Sequence, residues 1–137
     1  MGRINLKRFT TPDETRDFPN GKAALLKFGT DVVGLASFEP GWKWSKDVMP
    51  IAGTKSCEAA HNCYVLTGRM HLVMDDGEAV DVKPGDFVNI PPGHDAWVLG
   101  NETCTMVDFT GLEHYAQPAA SAAMKRPDAG RPEARKH

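Results

Sequence analysis

The chain has 137 residues, 41% of them hydrophobic and 25% charged, with a net charge of −2. That length suits one domain with its own core. The near-neutral balance gives no footprint for nucleic acid, and no apolar run approaches the roughly 20 residues that span a bilayer. Three cysteines are an odd number, so a disulfide framework is not expected. With reduced thiols and no apolar leader in Met1–Phe18, the expected compartment is the cytoplasm.

In chain order, short β-rich runs broken by Gly and Pro predict strands at Ile4–Phe9, Ala23–Phe28, Val32–Phe38, Asn62–Thr67, Arg69–Met74, Ala79–Val82, Asp86–Ile90, Ala96–Leu99 and Cys104–Phe109. Asp75-Asp76-Gly77 is a hairpin signal and Thr67-Gly68 a tighter turn. Pro84-Gly85-Asp86 and Pro91-Pro92-Gly93 bracket the seventh strand. Helical periodicity is scarce. From Gln117 onward the chain is Ala, Pro, Lys, Arg and Glu, carries a net +3 and leaves about −5 on the body. Such a segment buries too little to offset its ordering entropy. The expected division is an N-terminal strand or arm over 1–19, an antiparallel β-barrel over 20–112 and a flexible tail over 113–137.

Gly85-Asp-Phe-Val-Asn-Ile-Pro91-Pro92-Gly93 follows a Gly-x5-Pro-x-Gly frame. Tyr64-Val65-Leu66-Thr67-Gly68-Arg69 precedes it, with 16 residues between Gly68 and Gly85. Residues 53–98 thereby resemble the cupin superfamily. The phrases Pro40-Gly41-Trp42-x-Trp44-Ser45, Ser56-Cys57 and Pro91 to Trp97 are similar to a subgroup of small bacterial cupins without an assigned function. The resemblance implies an all-β jelly-roll barrel, a small-molecule ligand or substrate, and a homodimer, with Ile4–Phe9 a candidate to cross to the partner. Neither nucleic acid nor a membrane is an expected partner.

In cupins, two histidines and a glutamate of the first motif, with one histidine of the second, hold a divalent metal. Here those positions fall on Lys55, Cys57, His61 and Ala96, so two retain ligating side chains. His94 lies two residues before Ala96 and on the same strand face by parity. A set of Cys57, His61 and His94 offers one sulfur and two nitrogens, which suits Zn²⁺ and leaves a position for water or substrate. The displacement of His94, roughly 6.6 Å along a strand, needs a bulge or an altered entry to absorb it. Metal affinity should fall steeply below about pH 6 as imidazoles take up protons.

Each residue also has a structural reading. Cys57 and Cys63 serve equally as small buried hydrophobes, and Cys104 is expected to pack. His61 or His94 could simply hydrogen-bond a neighbour such as Asp95 or Asp108. His71, His114 and His137 are expected at the surface. Trp42 and Trp44, two apart, suit a hydrophobic plug or dimer contact, or a lid over the barrel mouth. Lys55, Cys63, Asp95, Trp42, Trp44 and Trp97 are the expected pocket-lining residues. Asp75 and Asp76 are explained by their turn alone.

Three functions stand open at this point: a metal-dependent cupin acting on a small molecule, a non-catalytic ligand-binding or sensor cupin without metal, and a metal-free thiol site activated by a neighbouring histidine. No phosphate loop, dinucleotide fingerprint or Ser-His-Asp order competes with them.

Overall fold

The structure, a computed structural model, describes residues 2–112 and 115–117. Its strands are β1 (Glu14–Phe18), β2 (Gly21–Phe28), β3 (Asp31–Phe38), β4 (His61–Thr67), β5 (Arg69–Met74), β6 (Ala79–Val82), β7 (Phe87–Ile90), β8 (His94–Leu99) and β9 (Cys104–Asp108). Two single-turn helices, α1 (Trp44–Asp47) and α2 (Met49–Ala52), separate β3 from β4. One sheet has six strands in the order β1-β2-β3-β9-β4-β7, and the second has three in the order β6-β5-β8. Every pairing is antiparallel. The two inner faces enclose a core containing Leu25, Val65, Leu72, Val98 and Met106. This is the expected β jelly roll.

Period-2 alternation explains most of it. In β8, His94, Ala96 and Val98 are buried, while Asp95, Trp97 and Leu99 are only partly so. In β9 the inward set is Cys104, Met106 and Asp108. The β4–β5 turn depends on glycine. Gly68 has φ 73°, and a Cβ there would stand 2.6 Å from the Cys104 Cα. Only a residue without a side chain meets both demands.

The N-terminus departs from expectation. Ile4–Phe9 forms no strand, and Ile4 and Leu6 are 98% and 72% exposed. Alternating apolar residues make a strand only where another strand accepts their hydrogen bonds, and none lies beside them. The first strand is instead β1, read as Glu-Thr-Arg-Asp-Phe. Arg16 secures it by bonding Glu14 at 2.8 Å and donating to the Leu112 and Tyr115 carbonyls. Arg16, with Lys27 beside it, lowers the Glu14 carboxyl to about 2.

Tyr115, within the expected tail, is buried in the core. Apart from Ala116 and Gln117, the remainder of that tail, with His114 and His137, lies outside the described residues. No helix among the described residues is long and apolar enough to cross a membrane.

Candidate metal centre

His61 opens β4 and faces inward beside Cys63. Across the β4–β9 pairing, Cys63 stands opposite Asp108, so His61 and Asp108 are diagonal neighbours on one inner face. His61 Nδ1 donates to Asp108 Oδ2 at 2.5 Å. The second carboxylate oxygen accepts from the Asn62 and Thr110 N–H groups at 3.3 and 3.0 Å. Asp108 is thus a satisfied buried carboxylate that fixes the imidazole with Nε2 facing away from it. Gly111, with φ 89°, lies over this pair, and a Cβ there would approach His61 Nδ1 to 2.7 Å.

Cys57 arrives from the loop after α2. Gly53 closes that helix at φ 79°, and the loop is then tied down at three points. The Ser56 hydroxyl meets Asp75 Oδ2 at 2.9 Å. Asp75 therefore does more than turn the β5–β6 hairpin. Cys57 N–H donates to the His94 carbonyl at 2.8 Å, and Gly93 N–H donates to the Cys57 carbonyl at 2.7 Å. This isolated bridge between Cys57 and His94 is the physical answer to the two-residue displacement of His94. Backbone pairing sets the two residues side by side, so no bulge in β8 is needed.

Cys57 Sγ lies 3.6 Å from His61 Nε2, and the His61 and His94 ring centroids are 5.4 Å apart. One ligand atom from each of Cys57, His61 and His94 lies within 4.8 Å of the others. His94 Nδ1 is 2.7 Å from the Pro91 carbonyl oxygen. A carbonyl only accepts, so His94 carries a proton on Nδ1, which leaves its Nε2 available to the cluster.

The charges follow from this geometry. Burial pushes the Cys57 thiol up, but hydrogen bonds from His61 and then His94 outweigh it and bring it down to about 6. Burial lowers His61, but Asp108 and then Cys57 raise it to about 9. Without an ion, the neutral-pH arrangement is a thiolate, an imidazolium and a carboxylate in line. The other thiols are unlike Cys57. Burial, followed by the Asp108 charge, drives Cys63 well above the usual thiol range, and burial raises Cys104 to about 11.

A cavity of about 40 Å³ adjoins the centre. Trp42, Trp44 and Cys63 line it, together with His61, His94, Asp108 and Tyr115. Lys55, Asp95 and Trp97 do not. Lys55 is exposed in the loop. Asp95 and Trp97 have the outward parity of β8: Asp95 accepts from the Ser45 N–H at 3.1 Å, and Trp97 lies 4.6 Å from the His71 ring with the Lys43 ammonium 4.8 Å away. Trp42 and Trp44 are not on an extended segment, because the chain enters α1 at Trp44. Both are buried within the single chain, which removes them as dimer contacts.

Asp108 and Tyr115 were not among the expected site residues. Asp108 had a usable signal, a carboxylate at an inward position of an otherwise Cys/Met strand. Tyr115 had none, since it follows the last strand in a polar stretch.

A two-sheet jelly roll with a buried Cys/His/His cluster beside a small cavity defines a cupin-type barrel. The EutQ-like cupin domain family model matches residues 50–110, and over that stretch the chain is similar to the cupin superfamily. The polyketide cyclase RemF of Streptomyces resistomycificus is 23% identical, covers 81% of this chain and 81% of its own, and has a TM-score of 0.57. A protein of unknown function from Rhizobium leguminosarum bv. viciae 3841 is 17% identical, covers 80% of this chain and 98% of its own, and has a TM-score of 0.56. At these identities the likeness is one of fold. No curated protein matches the sequence significantly.

Proposed function

We propose that this cupin holds one divalent ion, Zn²⁺, on Cys57 Sγ, His61 Nε2 and His94 Nε2, and uses it to bind or act on a small molecule in the adjoining cavity. The supporting observation is the way both histidines are held. One Nδ1 is tied to a carboxylate and the other to a backbone carbonyl, the outer-shell pattern of metal-ligating imidazoles. Without an ion the Cys57 thiolate is met by His61 and His94, and an ion bound there would take the place of the proton that His61 Nε2 gives to the thiolate. The Sγ···Nε2 distance of 3.6 Å is close to that across a tetrahedral ion with bonds of about 2.3 Å to sulfur and about 2.0 Å to nitrogen. One sulfur and two nitrogens favour zinc over iron.

When bound, zinc supplies an open coordination position that acidifies water or polarises a carbonyl. The chain contributes the rest. Asp108 orients His61, the Cys57–His94 bridge sets the thiolate, and the aromatic walls exclude water. At about 40 Å³ the cavity has room for a few waters or a ligand of a few heavy atoms.

Zinc per chain, measured on purified protein, should be near one in the wild type and near zero in Cys57→Ser. Cobalt substitution should give thiolate-to-metal charge-transfer absorption that Cys57→Ser abolishes. A zinc content that is low and indifferent to Cys57→Ser would overturn the metal reading.

The second reading rests on the same line of atoms. Sγ to Nε2 to Asp108 is also the arrangement of a thiol nucleophile with an oriented base. Low zinc content with fast alkylation of Cys57 would favour it.

We further propose a homodimer through the outer face of the six-stranded sheet. Tyr64, Leu66, Phe87 and Phe109 stand exposed there, with the last two rings stacked 5.9 Å apart. Sedimentation should give a dimer at micromolar concentration that Phe87→Glu dissociates; a wild-type monomer would refute it.

A further inference from the structure

Among the described residues, one buried side-chain polar atom has no hydrogen-bond partner: the indole Nε1 of Trp42. The residue is only 2% exposed and lines the cavity beside the centre. Its ring is fixed by Phe38, with centroids 4.3 Å apart, and by Phe18 at 6.5 Å. A buried N–H without a partner forgoes the hydrogen bond that water gave it in the unfolded chain. An indole only donates, so what is missing is an acceptor, and the cavity is where one can enter.

The charge of the site narrows the acceptor further. With the thiolate of Cys57 and the carboxylate of Asp108, an ion of charge two leaves the centre neutral. No lysine or arginine lines the cavity. A carboxylate or phosphate entering there would be a buried charge without a counter-charge, which is strongly disfavoured. A carbonyl oxygen carries two lone pairs and no net charge, so it can face the ion and the indole together.

We propose that the cavity takes a small uncharged carbonyl compound, such as an amide or aldehyde of a few heavy atoms, with Trp42 Nε1–H as its hydrogen-bond donor. This rests on the metal reading for its second contact, and the test separates the two.

The probe is formamide, with formate as the charged counterpart, added to zinc-loaded protein labelled with ¹⁵N. Three tryptophans give three indole signals, and Trp42 is the one missing from Trp42→Phe. That signal should move downfield and saturate with formamide, while formate should require at least about tenfold more. Trp42→Phe keeps the aromatic packing and should bind formamide about tenfold more weakly, the loss of roughly one hydrogen bond. If Trp42→Phe does not fold, the wild-type titration decides alone, with the signal assigned through its contacts to Phe18 and Phe38. An unmoved Trp42 signal, equal formamide affinity in Trp42→Phe, or formate binding as tightly as formamide would overturn the proposal. Zinc content on the same samples distinguishes the failures. Zinc retained with no indole response removes this inference and leaves the metal reading. A persistent response without zinc removes the metal reading and keeps the Trp42 contact.

Discussion

Among the described residues, two histidine–aspartate pairs of nearly equal length stand in opposite settings. His61 meets Asp108 at 2.5 Å between the sheets, with side chains 7% and 2% exposed. His71 meets Asp81 at 2.6 Å on the outer face of the three-stranded sheet, with side chains 25% and 62% exposed. Both arise from strand neighbours, and His71 stands directly opposite Asp81 in the β5–β6 register. The difference is the medium. Water screens the outer pair and competes for its hydrogen bond, while the inner pair has no such competitor and must be complete. The same two residue types thus build a solvated surface contact in one place and a support for a proposed metal ligand in the other.

The largest effect should come from breaking the inner pair. Asp108→Ala leaves His61 without its acceptor and removes the oxygen that serves Asn62 and Thr110. Urea denaturation should show a loss of about 3–5 kcal/mol, as for a broken buried pair. A loss under about 1 kcal/mol would mean that burial does not distinguish the two pairs.

Next in size is the pH dependence of zinc affinity. His61 is raised to about 9, so below that pH an ion must displace its proton. Cys57 is lowered to about 6, so only below that pH must a second proton leave. Affinity should therefore fall about tenfold per pH unit from 9 down to 6, and more steeply below 6. Calorimetry in buffers of different ionisation enthalpy should count one proton released per zinc near pH 7.5, and at least two near pH 5. The ordinary imidazole pKa alone places the onset near 6; the Asp108 and Cys57 contacts of His61 move its first stage upward, to about 9. A slope confined below pH 6 would show that Asp108 does not hold the proton on His61.

The smallest effect belongs to the outer pair. Asp81→Ala should change stability by less than about 1 kcal/mol and leave zinc content unaltered. A larger loss would show that the Trp97 and Lys43 contacts beside His71 depend on it.

The sequence is informative about the fold wherever alternation and turn residues agree. Most strands from β2 to β8 have inward apolar residues and a glycine or proline near an end, and Arg69–Met74 and Ala79–Val82 match the structure residue for residue. Strand β1 is illegible because its stability comes from ion pairs and from Arg16 reaching carbonyls nearly a hundred positions away, not from an apolar face. Helices of four residues are too short for any periodicity to register. For the candidate site, the resemblance to the cupin motifs suggests Cys57 and His61, and strand parity adds His94. They do not convey the Cys57–His94 backbone bridge, which is a contact between a loop and a strand. Parity also argues against Trp97 and Asp95 as lining residues, since a face that holds His94 cannot hold its immediate neighbour.

The bridge has a kinetic consequence. Because Cys57 and His94 share two backbone hydrogen bonds, the thiol and the imidazole are carried as one unit before any ion arrives. Loading then orders little new chain and costs little conformational entropy. Capture should be governed by passage through the barrel mouth and by proton departure, not by a folding step. The Cys57 amide should accordingly exchange with solvent as slowly as the amides of β8, whether or not zinc is present.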